Sequence, residues 1–160
     1  MFFSTYKITV SAPPYVYKYI GKTDRHVHGN YGQISQVVSD LIENACEAFE
    51  SLKRKEKGVL AVVVRPMGDQ RSLLVTVADT AGGMAGDVAA HVFDPFYTTK
   101  PGKGSGLGLA ICHGIIGEHG GDVWVKSRVG KGSAFSFTLP CLLEEPERQE
   151  GKGRRKKQTA

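Results

Sequence analysis

Apolar side chains recur every third or fourth residue from Tyr31 to Leu52, at Ile34, Val37, Val38, Leu41, Ile42, Ala45, Phe49 and Leu52. That spacing predicts a long amphipathic helix whose single stripe must be buried against another layer. The other layer is offered by β-branched runs. Val59–Arg65 and Ser72–Ala78 read as two strands joined by the short loop Pro66–Arg71. Residues 122–127 and 134–139 read as a second hairpin, with Val123, Val125, Phe135, Phe137 and Leu139 on its inward face. Residues 6–10 and 15–20, parted by Pro13 and Pro14, predict two further strands as a hairpin or extended arm. A second helix is expected from Leu107, with Leu107, Ala110, Ile111 and Ile115 on one face and a stop at Gly120-Gly121. A short apolar stretch, Val88–Phe93, leaves room for a third. Strands that outnumber helices, join as hairpins and offer one apolar face lead to an α+β fold. The expected form is a two-layer α/β sandwich, a mixed and mostly antiparallel sheet packed on about three helices.

With 160 residues the chain has room for one core. Apolar runs such as Leu60–Val64 fall far short of the roughly 18 to 20 residues of a membrane span, and Met1–Lys7 lacks the layout of a secretory signal, so a cytoplasmic location is expected. A net charge of +5 would suggest a nucleic-acid partner, but residues 148–160 carry six basic side chains and one acid, which leaves the rest neutral. Residues 143–160 are therefore expected to be a charged, disordered tail and residues 1–27 an arm of the same domain, with 28–142 as the folded unit. No nucleic-acid partner is expected; binding through Arg154–Lys157 is a minor alternative. Cys46, Cys112 and Cys141 show no metal-ligand spacing and read as reduced, structural thiols.

Three constellations carry chemistry. The loop Gly102–Gly108 runs into a helix start, where backbone N–H groups favour an anion such as phosphate. Its order matches neither a P-loop nor a dinucleotide fingerprint, and alone it reads equally well as a surface loop. Asn44, with Asp40, Glu43 and Glu47 around it, places an amide oxygen beside carboxylates on one helix face, a donor set suited to Mg²⁺; alone it reads as a solvated polar face. Asp79 follows a strand and precedes Thr80-Ala81-Gly82-Gly83, where a carboxylate can accept from an exocyclic amine. By itself it is an ordinary turn aspartate.

The order of these features resembles the catalytic ATP-binding domain of sensor histidine kinases. Leu41-Ile42-Glu43-Asn44-Ala45 is similar to that family's N box and Asp79–Met84 to its first glycine box. Phe93–Lys100 is similar to its F box, Gly104–Ala110 to its second glycine box and Gly132–Phe135 to its last, so the resemblance covers about residues 28–140. It implies the Bergerat fold shared with DNA gyrase and mismatch-repair ATPases, with ATP and Mg²⁺ as cofactors. It also implies that Asn44 ligates Mg²⁺ and, with Lys100, serves catalysis. Asp79 would accept from the adenine amine, and Gly83 would let the base approach the backbone. Residues 93–103 would form an ATP lid anchored at Thr98, Thr99 and Lys100, while Gly104, Ser105, Gly106, Leu107 and Gly108 contact the phosphates.

Glu47 stands where the family often has a phosphate-binding lysine, so Lys100 and Lys103 would have to compensate. Ala81 replaces a frequent glycine at a position that needs only an ordinary φ. None of His26, His28, His91, His113 and His119 has a phosphoacceptor-like context. The implied function is transfer of the ATP γ-phosphoryl group to a histidine on a separate dimerisation domain, with a cognate response regulator as further partner and the isolated domain monomeric. Two alternatives stay open: a gyrase-like ATP hydrolase with Asp40 as the water-activating base, and a non-catalytic nucleotide-binding module.

Overall fold

The computed structural model describes residues 6–12, 15–21, 25–52, 58–68, 71–99 and 104–142, with side chains from residue 25 onward. Pro13 and Pro14, Lys100, Lys103 and the basic tail, all weighed above, lie outside the described residues. In chain order the elements are β1 (Tyr6–Ala12), β2 (Tyr15–Gly21), α1 (Tyr31–Glu50), β3 (Gly58–Pro66), β4 (Ser72–Asp79), α2 (Gly86–His91), α3 (Gly108–Glu118), β5 (Val123–Arg128) and β6 (Gly132–Pro140). The strands form one six-stranded sheet in the order β1-β2-β3-β4-β6-β5. Neighbours are antiparallel except β2 and β3, which run parallel because the chain crosses between them through α1. This is the mixed, mostly antiparallel sheet expected from the sequence, and no described helix is long and apolar enough to cross a membrane.

Register aligns the apolar residues into rows. Val62, Val77, Phe135 and Val125 are successive cross-strand partners, and so are Val64, Val75, Phe137 and Val123. A slip of one residue would turn every one of these side chains to the other face, so burial of one face fixes the pairing. Against the rows lies α1, whose buried residues Val37, Leu41, Ala45 and Phe49 recur every fourth position. Asn30 starts the helix, its side chain accepting the Gln33 N–H at 3.2 Å. The helix ends at Glu50, two residues before the periodicity does; Leu52 still packs on the core from beyond the C-cap, Ser51. α3 completes the layer.

The stripe of α3 differs from the one expected. Cys112, Ile115 and Ile116 are buried, whereas Ile111 is 45% exposed. The helix is apolar on most of its circumference, so periodicity alone could not say which side meets α1. Ile111 instead faces a cavity described below.

Phe137 is fully buried at the centre of one apolar row, between Val75 and Val123. Phe137→Ala is expected to destabilise the fold by about 3–5 kcal/mol, seen as a lower urea midpoint at unchanged m-value.

Candidate functional site

Strand parity delivers a carboxylate to the core face. Leu73, Val75, Val77 and Asp79 alternate along β4 toward the helices, so Asp79 closes an apolar row and is 8% exposed. Its Oδ1 accepts the Ala81 N–H at 2.8 Å, and the Ser133 N–H is a second backbone donor. Burial outweighs these two bonds and pushes the carboxyl above its ordinary value. A carboxyl kept in so costly a place at the edge of a cavity is suited to take a hydrogen bond from a ligand.

Helix periodicity delivers a second set. Gln36, Asp40, Glu43, Asn44 and Glu47 lie beside the buried stripe of α1 and face the same cavity, which encloses about 640 Å³. Asp40 is held from behind. The fully buried Cys112 of α3 donates its S–H to Asp40 Oδ2 at 3.7 Å, and burial together with that carboxylate pushes the thiol up to about 12, so it remains a donor. Cys112 had been assigned to packing alone; seventy-odd residues of intervening chain hide the contact from any local pattern.

The third wall is the loop before α3. Gly104 and Gly108 border open space, and the N-cap residue Leu107 makes no side-chain cap bond, so the first N–H groups of α3 are not capped by a side chain. Ser105 Oγ accepts the Leu107 N–H at 3.3 Å. Gly106 is a different matter. It has φ +69°, and a Cβ there would lie 2.6 Å from the Phe96 carbonyl carbon. Its own carbonyl accepts the Phe96 N–H at 3.0 Å, while Phe96 itself takes φ 65° and is 73% exposed. Two left-handed residues thus knot the F-box segment to the glycine loop, at the backbone cost usual for a non-glycine in that region.

All the described site residues expected from the sequence line this one cavity: Asn44, Asp79, Gly83, Thr98, Thr99, Gly104, Ser105, Gly106, Leu107 and Gly108. Lys100 lies outside the described residues. Gly83 carries a constraint that the sequence did not disclose. Its φ is +64°, and a Cβ would lie 2.1 Å from the Arg128 carbonyl oxygen, so the close approach it permits is to the β5–β6 turn. Ala81 is fully buried with no positive φ, as expected. Among the described lining residues are four carboxylates, Asp40, Glu43, Glu47 and Asp79, and no lysine or arginine.

The family model described as histidine kinase-, DNA gyrase B-, and HSP90-like ATPase matches residues 29–143. Sensor protein FixL of Bradyrhizobium diazoefficiens is 42% identical over 112 residues, which cover 70% of this chain and 21% of FixL. Among solved structures, the catalytic domain of histidine kinase ThkA shares 34% identity at a TM-score of 0.61, covering 73% of either chain. Full-length ShkA in complex with AMPPNP shares 28% identity at a TM-score of 0.62, covering 73% of this chain and 23% of ShkA. The chain therefore spans about a fifth of the length of FixL and of ShkA.

The burial of Asp79 has a pH signature. Its folded value lies above the unfolded 3.8, so the stability associated with the protonated carboxyl is complete below that value and lost as pH rises through the folded one. At neutral pH the ionised carboxylate is a net cost. Asp79→Asn, which keeps an acceptor for Ala81, is expected to raise the melting temperature of the ligand-free chain near pH 7, and the gain should shrink toward about pH 4. Thermal melts across that range check it; an equal or lower melting temperature at pH 7 would contradict it.

Proposed function

Because the chain belongs to the histidine kinase-, DNA gyrase B-, and HSP90-like ATPase family, as the ATP-binding catalytic domain of a sensor histidine kinase, we propose that it holds ATP with Mg²⁺ in the cavity between α1 and the glycine loop. From there the γ-phosphoryl group passes to a histidine on a separate dimerisation segment of a longer kinase, and onward to a cognate response regulator. One observation carries the reading: groups remote in sequence, Asn44, Asp79 and Gly104–Gly108, border a single cavity. Full-length ShkA, to which 73% of this chain is similar, is known in complex with AMPPNP.

On this reading Asp79 accepts from the adenine amine at one end of the cavity, while the uncapped start of α3 and the backbone of Gly104–Gly108 meet the phosphates at the other. Thr98, Thr99 and Lys100 anchor the lid. Mg²⁺ fits the donor chemistry: oxygen ligands from Asn44 and its carboxylate neighbours, with the remaining positions left to water and phosphate. Among the described residues no cluster of three His, Cys, Asp or Glu side chains could hold a metal unaided, in keeping with an ion that arrives on the nucleotide. The metal supplies charge neutralisation at the transferring phosphoryl group; the chain's own residues position and orient. The ATP-binding unit would comprise residues 28–142, with 1–27 as its edge strands and 143–160 as a charged tail. The isolated unit would be monomeric and would act in the cytoplasm.

Calorimetry is expected to show ATP binding that strengthens with Mg²⁺, and Asn44→Ala to weaken that Mg²⁺ dependence while leaving the fold intact. Identical titrations of the variant and the parent chain with and without Mg²⁺ would remove Asn44 from the site. A second reading, ATP hydrolysis with Asp40 as base, is favoured by the placement of the Asp40 carboxylate in the cavity and its hold by Cys112. Phosphate release separates the two. The kinase reading expects slow release, little changed by Asp40→Asn, and an acid-labile label on a supplied histidine-bearing dimerisation segment; rapid release abolished by Asp40→Asn would favour the hydrolase.

A further inference from the structure

Ser127 does not border the cavity, yet three hydrogen bonds converge on its hydroxyl. The Met84 N–H donates to Ser127 Oγ at 2.7 Å. Ser127 Oγ donates to the Gly132 carbonyl at 3.1 Å and lies 3.0 Å from Ser133 Oγ, whose hydroxyl is then the donor. One donor and two acceptor sites are thereby all used, which is the full capacity of a serine hydroxyl. The partners belong to two segments facing the cavity. Met84 ends the Asp79–Met84 loop, and Ser133 is the residue whose backbone N–H bonds the Asp79 carboxylate. Two further contacts bind the same loop to the same hairpin. The Gly130 N–H donates to the Gly82 carbonyl at 2.6 Å, and Gly83 packs on the Arg128 carbonyl.

We infer that Ser127 is a positioning residue for purine discrimination: its hydroxyl clasps the Asp79–Met84 loop to the β5–β6 hairpin and so fixes the base-facing wall of the cavity. The inference rests on the reading of Asp79 as the acceptor for the adenine amine. The phosphate end of the cavity is built from α1 and the loop before α3, neither of which Ser127 bonds. Loss of the hydroxyl therefore acts on the base and spares the phosphates. Ser127→Ala also leaves the half-buried Met84 N–H without its acceptor, a deletion that weakens rather than re-forms the clasp.

The test uses the 160-residue chain with Mg²⁺ and three probes: ATP, GTP and inorganic tripolyphosphate. Ser127→Ala is expected to weaken ATP about tenfold and bring the ATP-to-GTP affinity ratio toward one, with tripolyphosphate affinity unchanged. Ser127→Thr, which retains the hydroxyl, is expected to restore the ratio. A folded Ser127→Ala protein that keeps the parent ratio, or that loses tripolyphosphate affinity in step with ATP, overturns the inference alone. Equal affinity of the unaltered chain for ATP and GTP overturns the reading of Asp79 itself. Should Ser127→Ala fail to fold, amide hydrogen exchange on the unaltered chain decides. Protection of the Met84 amide without nucleotide is expected, and exchange at the rate of an open loop overturns the clasp.

Discussion

A carboxylate at the end of a core strand sets the terms for everything around it. Val75 and Val77 bury in the core beneath the helices, and the same alternation forces Asp79 onto that side. Burial strips the carboxylate of most of its water, so the fold must supply donors, and it does so from two directions: Ala81 from the loop that follows, Ser133 from the neighbouring strand. The Ala81 donor is local, but the Ser133 donor depends on the β4–β6 register, and that register depends on the apolar rows containing Phe135 and Phe137. Core packing and ligand chemistry are thus two consequences of a single strand pairing. A change that loosens the rows would move the Ser133 donor, and with it the carboxylate, before the cavity itself was lost.

α1 performs a similar double duty by a different geometry. A 3.6-residue repeat cannot keep one residue type on one line, so Val37, Leu41, Ala45 and Phe49 form the buried seam while Asp40, Asn44 and Glu47 follow one position behind or two ahead. The seam anchors the helix to the sheet over most of its length. The packing of the seam therefore presents the polar line beside it to the cavity that Asp79 also borders. Cys112 adds a restraint from the other side, since α3 packs on α1 and carries its thiol to Asp40. The start of the same α3 borders the glycine loop, so α1, α3 and the loop form one rigid wall.

Much of this was legible in the residues. The α1 seam, the two hairpins and the grouping of Asn44, Asp79 and Gly104–Gly108 follow from period, from turn residues and from motif order, all of which are local signals. What stayed hidden was relational. Ile111 was placed in the core because an almost wholly apolar helix offers no polar side to orient it. Gly83 lines the cavity as its motif implies, but its φ and its lack of a Cβ also serve a turn more than forty residues away. The parity of Leu73, Val75, Val77 and Asp79 was open to reading and would have placed the carboxylate inside the sheet rather than in a turn after it. The bonds Cys112 to Asp40 and Ser127 to Met84 have no sequence signal, because each needs the tertiary fold to exist first.

Charge decides what kind of anion such a wall can hold. A helix start offers an anion about 0.3–1 kcal/mol, or up to about 2 when partly buried. Against it stand Asp40, Glu43 and Glu47; a unit charge about 8 Å from a phosphate, at an effective dielectric of about 20, repels it by roughly 2 kcal/mol. Three such terms exceed the helix contribution, and Glu47 occupies the position where a lysine would have reversed one of them. The charge of the described lining residues is therefore unfavourable to a bare triphosphate. The same carboxylates become attractive once the anion carries a divalent cation, because the charge facing α1 changes sign. On the proposed reading the acidic line on α1 favours the metal-bound nucleotide over the free one, and the amides of Gln36 and Asn44 are neutral oxygen donors among its carboxylates.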